Sequence, residues 1–292
     1  MSRYLDPKAD VVFKKVFGEH PHLLKSFLNA VLPLAEDGQI VDLIYLPVEA
    51  IPEIPILKRT VADVRCTDQK GRVFIVEMQI EWINSFKQRL LFEAGHAYVK
   101  QLRKGEDYHL LQPVYGLGLI ATCFDSTEQW YHHYQLVNLD KSPREIIEHL
   151  QLIFIELPKF PIYSTTEKRL RVLWLRFMQE INEKTKVTPV ELQTVPEIAQ
   201  ALQLVEESAY SEGELNAYES YWKAVSTEKT LFQGRYREGL AEGISQGITQ
   251  GRVEERVEMA TKMIDIGMDT ITIIQCTGLS ETAIEKIMQR KK

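Results

Sequence analysis

The side chains in residues 61–81 with the greatest potential for chemistry are those of Asp63, Glu77 and Gln79. The pattern of this segment predicts a hairpin with its turn at residues 68–71. Because side chains alternate faces along a strand, Glu77 and Gln79 share one face, and antiparallel pairing can bring Asp63 near it. Two carboxylates and an amide on one face form an oxygen-rich site of the kind that Mg²⁺ prefers. Such a site is suited to phosphodiester hydrolysis.

The surroundings of Glu77 leave two interpretations open. A pair of acids on a hairpin is usually part of a solvated face. Residues 73–76, however, are all apolar and predict a strand that is buried on both faces, and Glu77 follows this run directly. A buried carboxylate is costly unless something compensates it. The partner is either a metal ion or the side chain of an arginine or lysine, with Arg65, Arg72 and Arg89 as candidates.

The spacing Asp–x13–Glu–x–Gln resembles the core of the PD-(D/E)XK nuclease superfamily, and more narrowly the recombination-promoting nuclease / putative transposase family. Other segments share this resemblance: residues 10–18 (DVVFKKVFG), residues 27–29 (FLN), Arg89, Tyr98, residues 101–108, residues 113–115 and the C-terminal Glu-Gly repeats. The resemblance implies an α/β fold with a restriction-endonuclease-like core, an α-β-β-β-α-β mixed sheet, followed by an α-helical C-terminal region. It also implies Mg²⁺ or Mn²⁺ as the cofactor and DNA as the partner.

The resemblance implies roles for individual residues. Asp63 and Glu77 would bind the metal, and Gln79 stands where most of the superfamily has a lysine; Gln cannot take a proton but can orient water by hydrogen bonds. An acid on the first helix often joins the metal site, which makes Asp10 a further candidate ligand, although N-capping of that helix explains it equally well. The predicted phosphate or DNA contacts are Lys14, Gln88 and Arg89. Lys14 is equally explained as a surface lysine.

Hydrophobic periodicity predicts the remaining elements. Helices are expected at residues 8–32 with a break near 18–21, at 85–104 with Gly105 as the stop, and at 165–185, 196–207 and 214–224. Strands are expected at residues 40–48, 58–67, 73–80, 114–122, 130–139 and 150–157.

The predicted domain organisation has four parts: a nuclease-like domain at residues 1–160, a helical region at 161–230, a glycine-repeat segment at 231–256 and a helix-turn-helix-like tail at 257–292. Glycines recur every four residues from Gly239 to Gly251. This repeat indicates either a partly helical linker or a seam for self-association. The tail is either a DNA-contacting helix-turn-helix or a small helical cap.

Composition narrows the class of protein. The net charge of −6 argues against tight non-specific DNA binding, so any basic surface must be local. Three separated cysteines, no apolar leader and no long apolar run predict a cytoplasmic protein without disulfides, structural zinc or membrane spans. We expect no organic cofactor and no metal constellation among the histidines. The expected function is a Mg²⁺-dependent DNA endonuclease linked to recombination or mobile elements, acting as a homodimer. The alternative is an inactive DNA-binding or regulatory protein that keeps the fold.

Overall fold

The structure is a computed structural model that describes residues 3–46, 64–164 and 167–289. The chain divides into two compact units, Met1–Val225 and Ser226–Lys292. The candidate site residues all belong to the first unit. Among the described helices, none combines the length and the apolar character that crossing a membrane requires.

A six-stranded mixed sheet forms the centre of the first unit, in the order β1-β2-β3-β4-β6-β5. The strands are β1 (Leu43–Tyr45), β2 (Val64–Asp68), β3 (Val73–Gln79), β4 (Val114–Ile120), β5 (Tyr131–Val137) and β6 (Ile146–Glu156). Strands β3, β4 and β6 are parallel, whereas β1, β2 and β5 pair antiparallel with their neighbours. The carboxyl ends of three parallel strands therefore meet at one edge, which is where sites form in open α/β sheets.

Helices cover the sheet and make up the C-terminal part of the chain. They are α1 (Asp10–Phe13), which continues as a π-helical turn (Lys14–Gly18), α2 (Pro21–Val31), α3 (Phe86–Val99), α4 (Arg169–Glu180), α5 (Pro196–Leu204), α6 (Glu212–Asp265), α7 (Thr270–Thr277) and α8 (Glu281–Gln289). From α1 to β4 the elements run two helices, α1 and α2, then three strands, a helix and a strand. The predicted α-β-β-β-α-β order and helical C-terminal region are confirmed.

The two faces of the sheet have different cores because side chains alternate along β3. Phe74 and Val76 point to the face where α1, α2, α4 and α5 pack, together with the fully buried Trp174. Val73 and Ile75 point to the opposite face, which α3 covers. Glu77 and Gln79 follow the same alternation and so lie on the α3 face.

Glycine on β4 allows α3 to approach the sheet closely. A Cβ atom at Gly118 would lie 2.8 Å from a ring carbon of Phe86 and 3.0 Å from a ring carbon of Phe154. Both rings are buried and cannot move aside without disturbing the core. Because Phe86 begins α3, this close contact also fixes the position of the side chains that α3 presents to Glu77.

Several element boundaries differ from those predicted. The helix expected at residues 85–104 ends at Val99, because the side chain of Gln101 turns away to bond both backbone groups of Gln112, at 3.0 and 2.8 Å. Strand β6 begins at Ile146 rather than at residue 150, since its first residues pair with β5. Of the first hairpin strand, predicted at 58–67, residues 58–63 lie outside the described part of the chain, as do residues 47 and 48 of the preceding strand.

The second unit contains the C-terminal part of α6 with α7 and α8, packed around Ala260, Ile273 and Ile284. Gly278 ends α7 with a positive φ of 64°, a conformation that glycine adopts without strain. Ser280 then accepts a bond from the backbone of Ala283 at the start of α8. Gly278 and Ser280 thus form the turn between α7 and α8, and the glycine repeat is helical throughout.

Candidate active site

The tip of the β2–β3 hairpin is held by a buried ion pair that is separate from Glu77. Asp68 accepts bonds from the backbone of Lys70 and Arg72, at 3.0 and 2.9 Å, and its carboxylate pairs with the Arg72 guanidinium at 2.6 Å. Gly71 supplies the positive φ of 78° that the turn requires. Arg72 is thereby excluded as the partner of Glu77. The turn sets the register in which Val64 lies opposite Val76.

Glu77, Gln79 and Arg89 converge on the α3 face, at the carboxyl end of β3. One guanidinium nitrogen of Arg89, Nη2, donates to Glu77 Oε2 at 2.9 Å and to Gln79 Oε1 at 2.8 Å. The Glu77 side chain is only 4% exposed, whereas Arg89 is 27% exposed. Two oxygens from alternate residues of a strand thus share one cationic atom. Of the candidate arginines, Arg89 is the one that this structure pairs with Glu77, and the same nitrogen also bonds Gln79.

The orientation of this trio is fixed by further contacts. The Arg89 guanidinium lies 4.9 Å from the Phe86 ring centre, a cation–π contact with the residue that packs against Gly118. The Gln79 side-chain nitrogen donates to the backbone carbonyl of Glu81 at 2.6 Å. Gln79 therefore presents its oxygen, not its nitrogen, toward Arg89.

The other predicted site residues are placed differently. Asp10 lies on α1, which packs against the face of the sheet opposite to Glu77, and it forms an ion pair with Lys14 at 2.7 Å. No contact joins Asp10 or Lys14 to Glu77 or Gln79 within the described residues. Gln88 is exposed on α3, beside Arg89. Asp63 lies outside the described residues and directly precedes Val64 in the chain.

A second group of titratable residues lies at the carboxyl end of β6. Asp125, His132 and Glu156 each offer an atom within 4.8 Å of the others, an arrangement that could hold a metal ion. The expectation that no histidine joins such a group was wrong. The ammonium of Lys159, however, already lies 2.6 Å from Asp125 and 2.8 Å from Glu156, so the chain itself compensates the two carboxylates.

Contacts within this group shift the pKa values of Asp125 and Lys159. Hydrogen bonds from Lys159 and Thr127 hold the pKa of Asp125 well below its usual range. Burial alone would lower the pKa of Lys159, but its bonds to Asp125 and Glu156 outweigh burial and raise it. One feature of the sequence indicates this group: Glu156 directly follows the apolar run 152–155, as Glu77 follows the apolar run 73–76. Asp125 and His132 could not be connected to Glu156 without the pairing of β5 with β6.

A mixed sheet with this helix order, and an acid and an amide sharing a cation at the end of its third strand, defines an α/β fold of the nuclease type. The family model described as PD-(D/E)XK nuclease family transposase matches residues 7–234. The chain belongs to this family. In the same comparisons, no curated protein and no solved structure matches the chain.

Proposed function

We propose that this protein is a divalent-metal-dependent DNA endonuclease that hydrolyses phosphodiester bonds in connection with recombination or mobile elements. One observation carries the proposal: Glu77 and Gln79 aim one oxygen each at a single cationic nitrogen of Arg89. Glu77 thus presents a carboxylate oxygen of the kind that a Mg²⁺ or Mn²⁺ site requires, and Gln79 presents an amide oxygen beside it, where it can bind water. Membership of the nuclease family supports the same proposal.

The proposed metal ligands are Asp63 and Glu77, with Asp10 as a further candidate. Asp63 is bonded directly to Val64, whose cross-strand partner Val76 directly precedes Glu77. This connectivity supports pairing the two acids in one site. Among the described residues, the ion-pair partner of Asp10 is Lys14, and the helix that carries Asp10 packs against the other face of the sheet. The assignment of Asp10 as a ligand therefore depends on the resemblance. The chemistry that a bound Mg²⁺ supplies in such sites is neutralisation of phosphate charge and acidification of water.

The remaining side chains act on the substrate and on water. Gln79 accepts and donates hydrogen bonds but carries no charge, so it orients the attacking water and does not take its proton. Arg89 can turn from Glu77 to a phosphate oxygen, because a guanidinium binds carboxylate and phosphate in the same way. Lys14 and Gln88 are proposed as further phosphate contacts. No organic group is needed for this hydrolysis.

Plasmid cleavage tests the proposal directly. Supercoiled plasmid is incubated with the wild-type protein and Mg²⁺, beside Asp63→Ala and an EDTA control. Nicking or linearisation that is lost in both controls is the expected result. If the wild type fails to cleave with either Mg²⁺ or Mn²⁺, the protein is an inactive DNA-binding or regulatory member of the family. Cleavage that survives Asp63→Ala would exclude the proposed site.

We propose that the protein forms a homodimer through α6, in a reducing compartment such as the cytoplasm. The three cysteines, Cys66, Cys123 and Cys276, are free thiols. Within the second unit, exposed apolar side chains recur every four residues along part of α6: Phe232, Tyr236, Leu240, Ile244 and Ile248. The centre of the stripe is Leu240, so a second copy in antiparallel orientation places Ile244 opposite Tyr236 and Ile248 opposite Phe232. Ridges of i±4 spacing favour helices crossing at about −50°.

Substitution within this stripe tests the dimer. Ile244→Glu would place a carboxylate against the Tyr236 ring of the second copy, where it loses water without gaining a partner. We expect light scattering after size exclusion to give a dimer for the wild type and a monomer for Ile244→Glu. Gln246→Glu is the matched control, because it adds the same charge about 200° around the helix. A dimer that persists in Ile244→Glu, or a monomeric wild type, would refute this interface.

A further inference from the structure

A cluster of aromatic rings around one lysine borders the candidate active site. The ammonium of Lys87, on α3, lies 4.1 Å from the ring centre of Phe124, 5.2 Å from that of Tyr134 and 5.8 Å from that of Trp82. The rings of Trp82 and Phe124 are stacked, with 4.6 Å between their centres. We call these four residues the Lys87 cluster. Tyr134 is 43% exposed, and the other three are partly exposed.

The charge of Lys87 is not compensated within the described part of the chain. Its polar partner there is the Tyr134 hydroxyl, at 3.0 Å, and no carboxylate of a described residue forms an ion pair with it. Lys159 provides the contrast: it also lies near the Phe124 ring, at 5.7 Å, but two carboxylates neutralise it. Lys87 is therefore available to an anion from outside, and the rings beside it offer apolar faces.

Contacts connect the Lys87 cluster to the site of the proposed hydrolysis. The rings of Trp82 and Phe86 pack edge to face, with 6.0 Å between their centres. The Arg89 guanidinium in turn lies over the Phe86 ring. The backbone of Trp82 also donates to the hydroxyl of Thr122 at 2.9 Å, which joins the segments that follow β3 and β4. The cluster thus lies at the carboxyl edge of the parallel strands, beside Glu77 and Gln79. A ligand that bridges the two places must carry both an anion and a flat ring.

We propose that the Lys87 cluster binds an unpaired nucleotide of the DNA substrate, its phosphate against Lys87 and its base against the rings of Trp82 and Tyr134. Proteins that bind single strands combine cations for the backbone with aromatic side chains on which bases stack. A base within a duplex has both faces covered by its neighbours, so the cluster selects single-stranded or frayed DNA. This inference rests on the proposed nuclease function, since it names the kind of DNA that enters the same site.

Binding without cleavage tests the inference. Fluorescence anisotropy in EDTA compares a labelled oligothymidylate of about twenty nucleotides with a duplex of the same length. We expect the wild type to bind the single strand about five-fold or more tightly than the duplex. Lys87→Ala and Trp82→Leu each lower the affinity for the single strand by about five-fold or more. Trp82→Phe, which keeps a ring, and Lys104→Ala, which removes an exposed lysine beyond the end of α3, bind as the wild type does.

Intrinsic fluorescence provides a second readout that needs no destabilising variant. Oligothymidylate should quench the tryptophan emission of the wild type, and this quenching should be lost in Trp82→Phe although the DNA still binds. Equal affinity for single strand and duplex, unchanged binding by Lys87→Ala and Trp82→Leu, or quenching that survives in Trp82→Phe would each overturn the inference. Plasmid cleavage with Mg²⁺ separates the two proposals. If Trp82→Leu cleaves the plasmid as well as the wild type does, only the nucleotide site is refuted. If the wild type binds single strands in a way that depends on Trp82 but does not cleave the plasmid, only the nuclease function is refuted.

Discussion

Glu77→Gln is expected to lower the rate of DNA cleavage by about a thousand-fold or more. The substitution keeps the shape and one accepting oxygen of the side chain but removes its charge. A loss of about 4 kcal/mol of transition-state stabilisation corresponds to three powers of ten in rate, and several kcal/mol is the range that a metal supplies when it stabilises charge. Because Arg89 can still donate to the amide oxygen, the variant should remain folded.

The measurement is plasmid nicking at saturating Mg²⁺, with circular dichroism to confirm folding. Isothermal titration with Mn²⁺ gives a readout that is independent of activity, and weaker binding by Glu77→Gln is expected. Glu128→Gln is the control, because this exposed acid lies far along the chain from β3 and should leave both readouts unchanged. If Glu77→Gln cleaves the plasmid at the wild-type rate, Glu77 is not a metal ligand. Its pairing with Arg89 is then a structural contact.

Glu156→Leu is expected to lower the free energy of unfolding by about 3–5 kcal/mol, the usual cost of breaking a buried ion pair by removing one partner. The Glu156 side chain is 0% exposed and accepts bonds from the backbone of Phe124 at 2.7 Å, from His132 at 2.8 Å and from Lys159 at 2.8 Å. Its removal leaves three donors in a region with little access to water. These bonds join the segment after β4 to the start of β5 and the end of β6.

Urea unfolding at neutral pH measures this effect. Glu145→Leu is the matched control, because Glu145 also pairs with a lysine at 2.8 Å, but both side chains of that pair are more than half exposed. Such surface pairs contribute about 0–1 kcal/mol, so the control should change little. An equal loss in the two variants would show that burial does not set the strength of the Glu156 bonds.

The charges of Asp125 and Lys159, which surround Glu156, should make the free energy of unfolding depend on pH. Since Lys159 and Thr127 hold the pKa of Asp125 below its usual value of 3.8, its contribution is present above that value and is lost as the pH falls toward the folded-state pKa. The raised pKa of Lys159 has the opposite sign: its contribution is complete below its usual value of 10.5 and is lost at higher pH. Asp125 and Lys159 therefore both contribute fully between about pH 5 and pH 10.

The sequence by itself determined the fold class and the pair Glu77 and Gln79. The apolar run 73–76 requires a buried strand, and the period of two places residues 77 and 79 on one face whatever surrounds them. The order of helices and strands followed from local periodicity in the same way. Helix ends were less well determined, as at Val99, because the bond between Gln101 and Gln112 is a contact between distant residues.

Only the tertiary structure decided which charges meet. Three arginines were candidates for Glu77, and the choice of Arg89 depends on how closely α3 packs over Gly118. The pairing of β5 with β6 brought His132 to Glu156, and the segments after β3 and β4 brought Trp82 to Phe124. Sequence periodicity describes the direction of a side chain on its own element. The residue that this side chain meets on another element depends on how elements that are distant in the chain pack together. A local sequence pattern does not contain that information.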